Sequence, residues 1–558
     1  MTSVPAPRVV PASAPRDGRR AWRPSWRWLR GPAGIHYLAL AVAFVGFAVV
    51  STRGWFFYDD FAFLVPSQQS GIWAPHVGHW STVPFTLFLV LRDIFGMGSY
   101  LPFALLVIVA QLLFAHLMWR FLLRVGVLPP ISTALSLLLI FFGAGSENVL
   151  WAFQVGFVGA MAFGMLVVLI LLRATLRPLD VGLIILFSVL ALASSGTSLP
   201  LLAIAALIGW QRHGFLRTVA ILAGPAAIYG VWFGLSGRFA PPAGRAEGFG
   251  QVLTGVPTYA ISMLTDGLGR AFPIAVLGPI LFAATAIWGV LSYRGASWRR
   301  RPAYILFLAA PLFALFTGYS RLNLGLETAT SSRYLFFAIP MMLPLMALGL
   351  TSLVRRLNLR VSAVVVLIAI LVIYNFGGMV SSVLERQARA DSARERLSAA
   401  LALVHDYPDA SPSLRPAAQW APDVTLADAE AFQKNGWFSK GPYDEAAELT
   451  ERGALGLEAR SASAPAPAVA RGCTTLASAA PPTTIDGDDM LVRASAPLTL
   501  RVALERGKAI GDATGVTLHS GWNEVDLSGP AVAADFVIDA ASSGLTVCST
   551  TSGPTAGP

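Results

Sequence analysis

Charged residues are what this sequence has fewest of: Asp, Glu, Lys and Arg make up 13% of its 558 residues, against 55% hydrophobic ones. A soluble domain is about a quarter charged, so the shortage excludes an ordinary globular protein in water and makes lipid part of the solvent. The mean hydropathy of +0.62 points the same way. Lysine is nearly missing as well, since only Lys434, Lys440 and Lys508 stand among 41 basic residues. With arginine in its place and heavy use of Ala and Pro, the composition fits a GC-rich bacterial genome. Cysteine is limited to Cys473 and Cys548, which leaves room for one bridge and excludes a disulfide-dense scaffold. Both lie in the polar C-terminal part, where a single bridge implies an oxidising compartment. The net charge of +10 sits at the ends of apolar runs. That placement is a topology signal, so nucleic acid is discounted as a partner.

The apolar runs set the organisation. An apolar core of about 30 Å takes about 20 residues of helix, and eleven spans are expected, near 34–52, 100–119, 131–149, 152–172, 180–194, 197–211, 217–235, 272–293, 303–319, 334–354 and 361–378. The arginines before residue 31, followed by an apolar stretch without a small-residue cleavage site, predict an uncleaved first helix with a cytosolic basic tail over 1–33. With that end inside, Arg120 and Arg124, Arg173 and Arg177, Arg212 and Arg217, Arg294 with Arg299 to Arg301, and Arg355, Arg356 and Arg360 all fall on the cytosolic side. The stretch 81–96 is apolar but short and carries Arg92 and Asp93, so it is expected to lie along the outer face. A second such helix is expected within 251–272.

After the membrane part (34–380), the composition predicts an extracytoplasmic helical and irregular segment over 381–460 and an Ala/Ser/Pro linker over 461–470. Short alternating apolar runs over 471–550 then predict a β-sandwich pinned by Cys473 and Cys548, ahead of a tail at 551–558. Trp522 there is a core residue or a sugar platform, and Asp486, Asp488 and Asp489 form a polar turn or a calcium site. The expected location is a bacterial plasma membrane, with the C-terminal domain outside.

Chemistry concentrates in the loop after the first span. Asp59 and Asp60 are adjacent carboxylates flanked by Trp55, Phe56, Phe57, Tyr58 and Phe61 at the membrane surface. A carboxylate there is a candidate base for deprotonating an acceptor hydroxyl, and a helix cap is the plainer alternative. His76 and His79 follow in the same loop; Glu147 and Gln154 lie at the outer end of the third expected span. Arg333 and Tyr334 open the tenth, where a guanidinium suits a phosphate through paired charge-assisted hydrogen bonds and lipid-headgroup contact is the competing role.

An acidic pair after the first helix, a His-containing segment, a proline, an amphipathic helix ending in Phe95-Gly96, and Ser99-Tyr100-Leu101-Pro102 leading into the second span resemble the first outer loop of the GT-C superfamily of glycosyltransferases. The superfamily includes the protein O-mannosyltransferases and the lipid A aminoarabinose transferases. Gly78-His79-Trp80 stands here where those families have a His-Pro-Pro-like segment, so the likeness is one of layout over roughly 35–380. It implies an all-α GT-C-like membrane bundle carrying the extracytoplasmic β-sandwich. The implied donor is a sugar on a polyprenyl phosphate and the implied acceptor an envelope glycan, lipid or protein. It also implies that Asp59 or Asp60 is the base, that Arg333 neutralises the departing phosphate, and that His76, His79, Glu147, Gln154 and Tyr334 bind substrate. Superfamily members divide on metal use; the spacing of the acidic pair and the two histidines matches no metal motif, so no metal is assigned and a divalent cation remains an option. A flippase or transporter, an envelope glycan polymerase or ligase, and a non-catalytic scaffold are the competing functions.

Overall fold

In the computed structural model of the protein, the described residues are 31–65, 71–240, 244–463, 473–476, 482–485, 489–529, 534–538 and 545–549. The expected basic tail up to residue 30, most of the linker, Asp486, Asp488 and the final tail lie outside them. The rest is mostly helical, with a β-rich region at the C-terminal end.

The helices are α1 (Pro32–Ser51), α2 (Thr82–Phe95), α3 (Leu101–Val125), α4 (Pro129–Ile140), α5 (Glu147–Leu150), α6 (Val155–Leu171), α7 (Pro178–Ser194), α8 (Ser198–His213) and α9 (Phe215–Leu235). Then come α10 (Gly248–Gly250), α11 (Val256–Arg270), α12 (Leu277–Tyr293), α13 (Arg301–Phe307), α14 (Ala309–Arg321), α15 (Ser332–Arg356) and α16 (Val361–Leu403). Among the described residues, seven helices are long and apolar enough to cross a membrane: α1, α3, α6, α9, the run through α13 and α14, α15 and α16. Three shorter apolar helices, α4, α7 and α12, pack beside them. Several begin with proline in the first turn, where its missing N–H has no helical partner to lose. Their outer faces stay apolar. Ile287, Val290 and Leu291 of α12 and Val366, Leu367 and Ile373 of α16 are all exposed, as suits a lipid surround.

Two stretches differ from the sequence expectation. The run 131–149 is not one helix, because α4 ends at Ile140 and a turn at Gly143–Gly145 leads into the four-residue α5. A Cβ at Gly143 would lie 2.0 Å from the Asn375 carbonyl oxygen, so the break brings bare backbone against α16. Asn375 repairs the interruption: its amide oxygen accepts the Ala144 N–H at 3.2 Å and its amide nitrogen donates to the Ala271 carbonyl at 3.0 Å. The last apolar run also does not stop near residue 380. It continues without interruption through the charged, alanine-rich stretch as one helix of 43 residues, α16.

The short helices α2 and α11 form where surface helices were expected. Beyond α16 come α17 (Leu426–Lys434) and α18 (Glu445–Gly456). A two-residue hairpin precedes α2, with β1 (Pro75–His76) paired to β2 (His79–Trp80). The remaining strands are β3 (Leu457–Ser461), β4 (Thr474–Leu476), β5 (Thr483–Ile485), β6 (Asp489–Ala494), β7 (Leu498–Arg506), β8 (Ala509–Ile510), β9 (Thr514–Leu518), β10 (Gly521–Leu527), β11 (Asp535–Ile538) and β12 (Leu545–Ser549). They make two antiparallel sheets, β3-β10-β6-β12-β4 and β5-β11-β7-β8, with β9 also on β7. Alternate residues such as Met490, Val492, Leu500, Val502 and Leu504 turn inward into one apolar cluster drawn from both sheets. Sheet structure thus begins at Leu457, ahead of the linker. Cys473 and Cys548 are bonded, with Cα atoms 4.1 Å apart, and the bridge ties the segment entering β4 to its neighbour β12. Trp522 is half-buried on β10.

The C-terminal region seats on the membrane part. Arg396 of α16 pairs with the buried Glu451 of α18 and, at 2.6 Å, with Asp512. The Trp437 carbonyl accepts the Met97 N–H, while Arg92 lies over the Trp437 ring at 3.7 Å. That contact packs the segment after α17 onto the end of α2, beside the loop that follows α1.

Candidate functional site

The chain leaves α1 through an aromatic stretch and folds into a short 3-10 turn over Tyr58–Phe63. Tyr58 has a φ of +50°, a conformation that is costly for an L-residue, and its N–H is held by the Trp420 carbonyl. Successive residues of a 3-10 turn, at three per turn, point about 120° apart, so the two adjacent carboxylates face different directions. Asp60 points inward and is fully buried. Its Oδ1 accepts the Phe153 N–H at 3.0 Å, and its Oδ2 accepts the Phe57 N–H and the Tyr100 hydroxyl, both at 3.3 Å. Burial pushes its carboxyl up to about 7, while these three donors pull it down and Asp59 pushes it further up. With every oxygen facing a protein donor, Asp60 is a structural linchpin between this turn, the start of α3 and the start of α6.

Asp59 points the other way, into a cavity of about 240 Å³ that it lines with His76, His79, Arg321, Arg333 and Tyr334. Burial pushes its carboxyl up to about 6; Arg333 pulls it back, and Asp423 and Glu147 push it further up. Asp59 makes no hydrogen bond to another of the described residues, which leaves it available to a ligand proton.

The hairpin β1–β2 delivers the histidines. His76 and His79 are cross-strand partners, joined by the turn Val77–Gly78 at φ +48° and +81°. Positive φ at both positions is the two-residue hairpin geometry that normally takes Asn-Gly, so the β-branched Val77 is strained. The hairpin base is anchored by Trp80, stacked on Trp232 of α9 with ring centroids 5.5 Å apart. His79 packs against Gly196, where a Cβ would fall 2.9 Å from its Nδ1. Burial lowers His76 to about 4; burial first, then Arg321 and His76, lowers His79 to about 3. Both rings are therefore neutral near pH 7 and can accept or donate one hydrogen bond each. The ring of His76 sits between Phe63 and Phe153, at 5.0 and 5.4 Å.

On the opposite wall, Arg333 enters at the start of α15 and its Nε donates to Glu147 of α5 at 3.1 Å. Both side chains are about a third exposed (36% and 31%), so the pair adds little stability and chiefly aims the guanidinium. α5 itself is clamped, because the Glu147 N–H donates to Ser332 Oγ at 3.2 Å and Arg386 donates to the Ser146 and Glu147 carbonyls.

The expected site residues thus divide. Asp59, His76, His79, Arg333 and Tyr334 share one cavity, and Glu147 joins it through Arg333. Asp60 does not reach the cavity. Neither does Gln154, which is fully buried with its amide atoms unpartnered among the described residues. Arg321, Thr197 and Thr328 line the cavity without having been anticipated. Arg321 carried a readable signal, as it ends an apolar run on the side where the arginine bias leaves few cations. Asp59 and the two histidines are the side chains in the cavity with metal-ligand chemistry, and among the described residues no three His, Cys, Asp or Glu groups come together as a metal set.

The arrangement offers one carboxylate, two guanidiniums and two neutral imidazoles around an aromatic-walled cavity at one end of the helices. A proton acceptor thereby stands beside an anion-binding wall. The chain matches no protein-family model, no curated protein and no solved structure.

Proposed function

We propose that the chain is a GT-C-like membrane glycosyltransferase that moves a sugar from a polyprenyl-phosphate carrier to an envelope acceptor. The observation carrying this is that Asp59 and the far-removed Arg321 and Arg333 line a single cavity at one end of the helices. A polyprenyl phosphate keeps its tail in lipid, so its phosphate meets protein only near that level. Asp59 removes the proton from an acceptor hydroxyl, whose oxygen then forms the new bond to the anomeric carbon. The bond from that carbon to the phosphate oxygen breaks, and the electron pair leaves with the lipid phosphate. Arg333 and Arg321 meet the charge that develops there. A carboxyl near 6 is largely ionised at neutral pH yet basic enough to accept a proton. His76 and His79 hold sugar or acceptor hydroxyls, and Phe153 and Phe157 give the ring a stacking surface.

In this proposal the seven long helices, with α4, α7, α8 and α12, make eleven passes of a bacterial plasma membrane. The amino-terminal end is cytosolic, and the two C-terminal sheets form a sandwich outside. The test is Asp59→Asn in the producing cell, with the envelope glycan profiled and lipid-linked sugar quantified. Loss of one glycan with accumulation of its lipid-linked donor is expected. An unchanged profile at normal protein level would leave the non-catalytic scaffold as the better account.

A further inference from the structure

A second charged cavity lies at the other end of the bundle. It measures about 450 Å³ and is lined by Arg124, Arg212, Arg299, Trp298, Leu172 and Pro302. The three arginines come from three separate places: the last turn of α3, the last turn of α8 and the turn between α12 and α13. From Thr197, which lines the Asp59 cavity, to Arg212 the chain follows α8 for about 22 Å. That is most of the thickness of a bilayer core, so the two cavities lie near opposite interfaces.

The guanidiniums are fixed by backbone. Arg124 Nη2 donates to the Leu172 carbonyl at 2.8 Å and Arg212 Nε to the Arg173 carbonyl at 3.1 Å. Arg299 donates to the Arg124 and Leu123 carbonyls at 2.7 and 2.9 Å. A guanidinium has five N–H donors, so each keeps donors beyond these anchors. No carboxylate lines the cavity, and among the described residues none of the three forms an ion pair. The three guanidiniums are exposed, and with no carboxylate in the cavity their remaining donors all face whatever enters it, which favours an anion.

What adjoins the cavity identifies the anion. An apolar groove of about 610 Å³ runs between α8, α12 and α13, lined by Leu207, Trp210, Val290, Tyr304, Ile305 and Leu308 among others. Trp210 is two residues from Arg212 on one wall, and Tyr304 is two residues from Pro302 on the other. The cationic chamber and the apolar slot thus come to the same level at the end of α8 and the start of α13, and Trp298, 59% exposed, stands at the level where interfacial tryptophans sit.

The geometry points to a structural site for an anionic phospholipid of the leaflet opposite the Asp59 cavity. Its headgroup phosphate sits among Arg124, Arg212 and Arg299, and an acyl chain lies in the groove along α12. A free phosphate would leave the groove unused. A zwitterionic lipid would bring a fourth cation into a chamber that already holds three. This site is independent of the transferase proposal, since it touches no residue of the Asp59 cavity.

The test uses full-length protein in a neutral detergent, with bound lipid counted by native mass spectrometry and unfolding followed by intrinsic fluorescence. Phosphatidylglycerol, phosphatidylcholine and inorganic phosphate are titrated separately. Phosphatidylglycerol should bind at least tenfold more tightly than phosphatidylcholine and raise the unfolding temperature, which inorganic phosphate should not do. The double variant Arg212→Gln, Arg299→Gln should bring phosphatidylglycerol down to the phosphatidylcholine level. Leu207→Trp, which fills the groove and keeps every arginine anchor, should weaken both lipids, and it decides the matter if the arginine variant does not fold. Equal binding of the two lipids, stabilisation by inorganic phosphate alone, or undiminished binding in Leu207→Trp would each overturn the assignment.

Discussion

Replacing Asp60 and Asp59 one at a time should give opposite phenotypes, although the two carboxylates are neighbours in the chain. Asp60 is fully buried and answers the Phe57 N–H, the Phe153 N–H and the Tyr100 hydroxyl. In Asp60→Ala those three donors lose their acceptor in a site closed to water. A buried polar group left unsatisfied costs about 1–3 kcal/mol, so the variant should lose roughly 4 kcal/mol, a large share of the margin of about 5–15 kcal/mol that holds a protein folded. Asp60→Asn keeps one acceptor oxygen but turns an NH₂ toward donors, and should lose roughly 2 kcal/mol. Asp59 makes no hydrogen bond to the described residues and is only half-buried, so Asp59→Asn should stay within about 0.5 kcal/mol of the parent. Its transfer rate should nonetheless fall by about 10² to 10⁴, the usual contribution of a positioned base. Unfolding in detergent, followed by tryptophan fluorescence, and transfer from a lipid-linked donor read the two properties separately. Should Asp60→Ala unfold no more easily than the parent, or should Asp59→Asn be as unstable as Asp60→Ala, the division of labour would be wrong.

Activity should rise with pH through an acid limb near 6, because Asp59 must be ionised to accept a proton and burial holds its carboxyl there. Removing the cation in Arg333→Met takes away a charge that pulls Asp59 down, so the limb measured in kcat/KM should move to higher pH, and a shift to lower pH would exclude Arg333 as a neighbour. Val77→Asn should stabilise the fold by about 1 kcal/mol, read as a higher unfolding midpoint, since a residue suited to positive φ replaces a β-branched one that is 48% exposed; a lower midpoint would mean that the turn carries no strain. Cys473→Ser with Cys548→Ser opens a loop of 75 residues and should weaken the C-terminal sheets by up to about 4 kcal/mol, seen as faster proteolysis of that region in the intact chain. Reporters fused after Arg356 and after Asp406 should report opposite sides of the membrane, and the same side for both would remove α16 as a span.

Hydropathy made the long helices legible, and period-two alternation made the strands legible, because both patterns are averages over many residues. Contacts between distant segments were not. The helix expected over 131–149 breaks at Gly143 because Asn375, far along the chain, needs its backbone. Asp59 and Asp60 are equal in any one-dimensional reading, and only the 3-10 turn over Tyr58–Phe63, set by the positive φ at its first residue, sends one inward and one into the cavity. Gln154 looked available on the outer side of a span but turns into the core. The histidines were seen as a pair in a loop, whereas the hairpin that aligns them depends on Trp80 meeting Trp232 of α9. Residues 464–470, within the expected linker, lie outside the described residues.

The unbroken helix α16 fixes more than position. With 43 residues at 1.5 Å each, it is a rod about 65 Å long, and each residue advances its face by about 100°. Asn375 and Arg386 take their bearing on the membrane part, while Arg396, further along the same rod, takes its bearing on Glu451. The two ends are therefore locked in rotational phase as well as distance. One alanine inserted between Arg386 and Arg396 would turn the sheets by about 100° around the rod, while four would bring them back to within about 40° at a distance about 6 Å greater. Which way the sheets face is thus set by the residue count along a single helix.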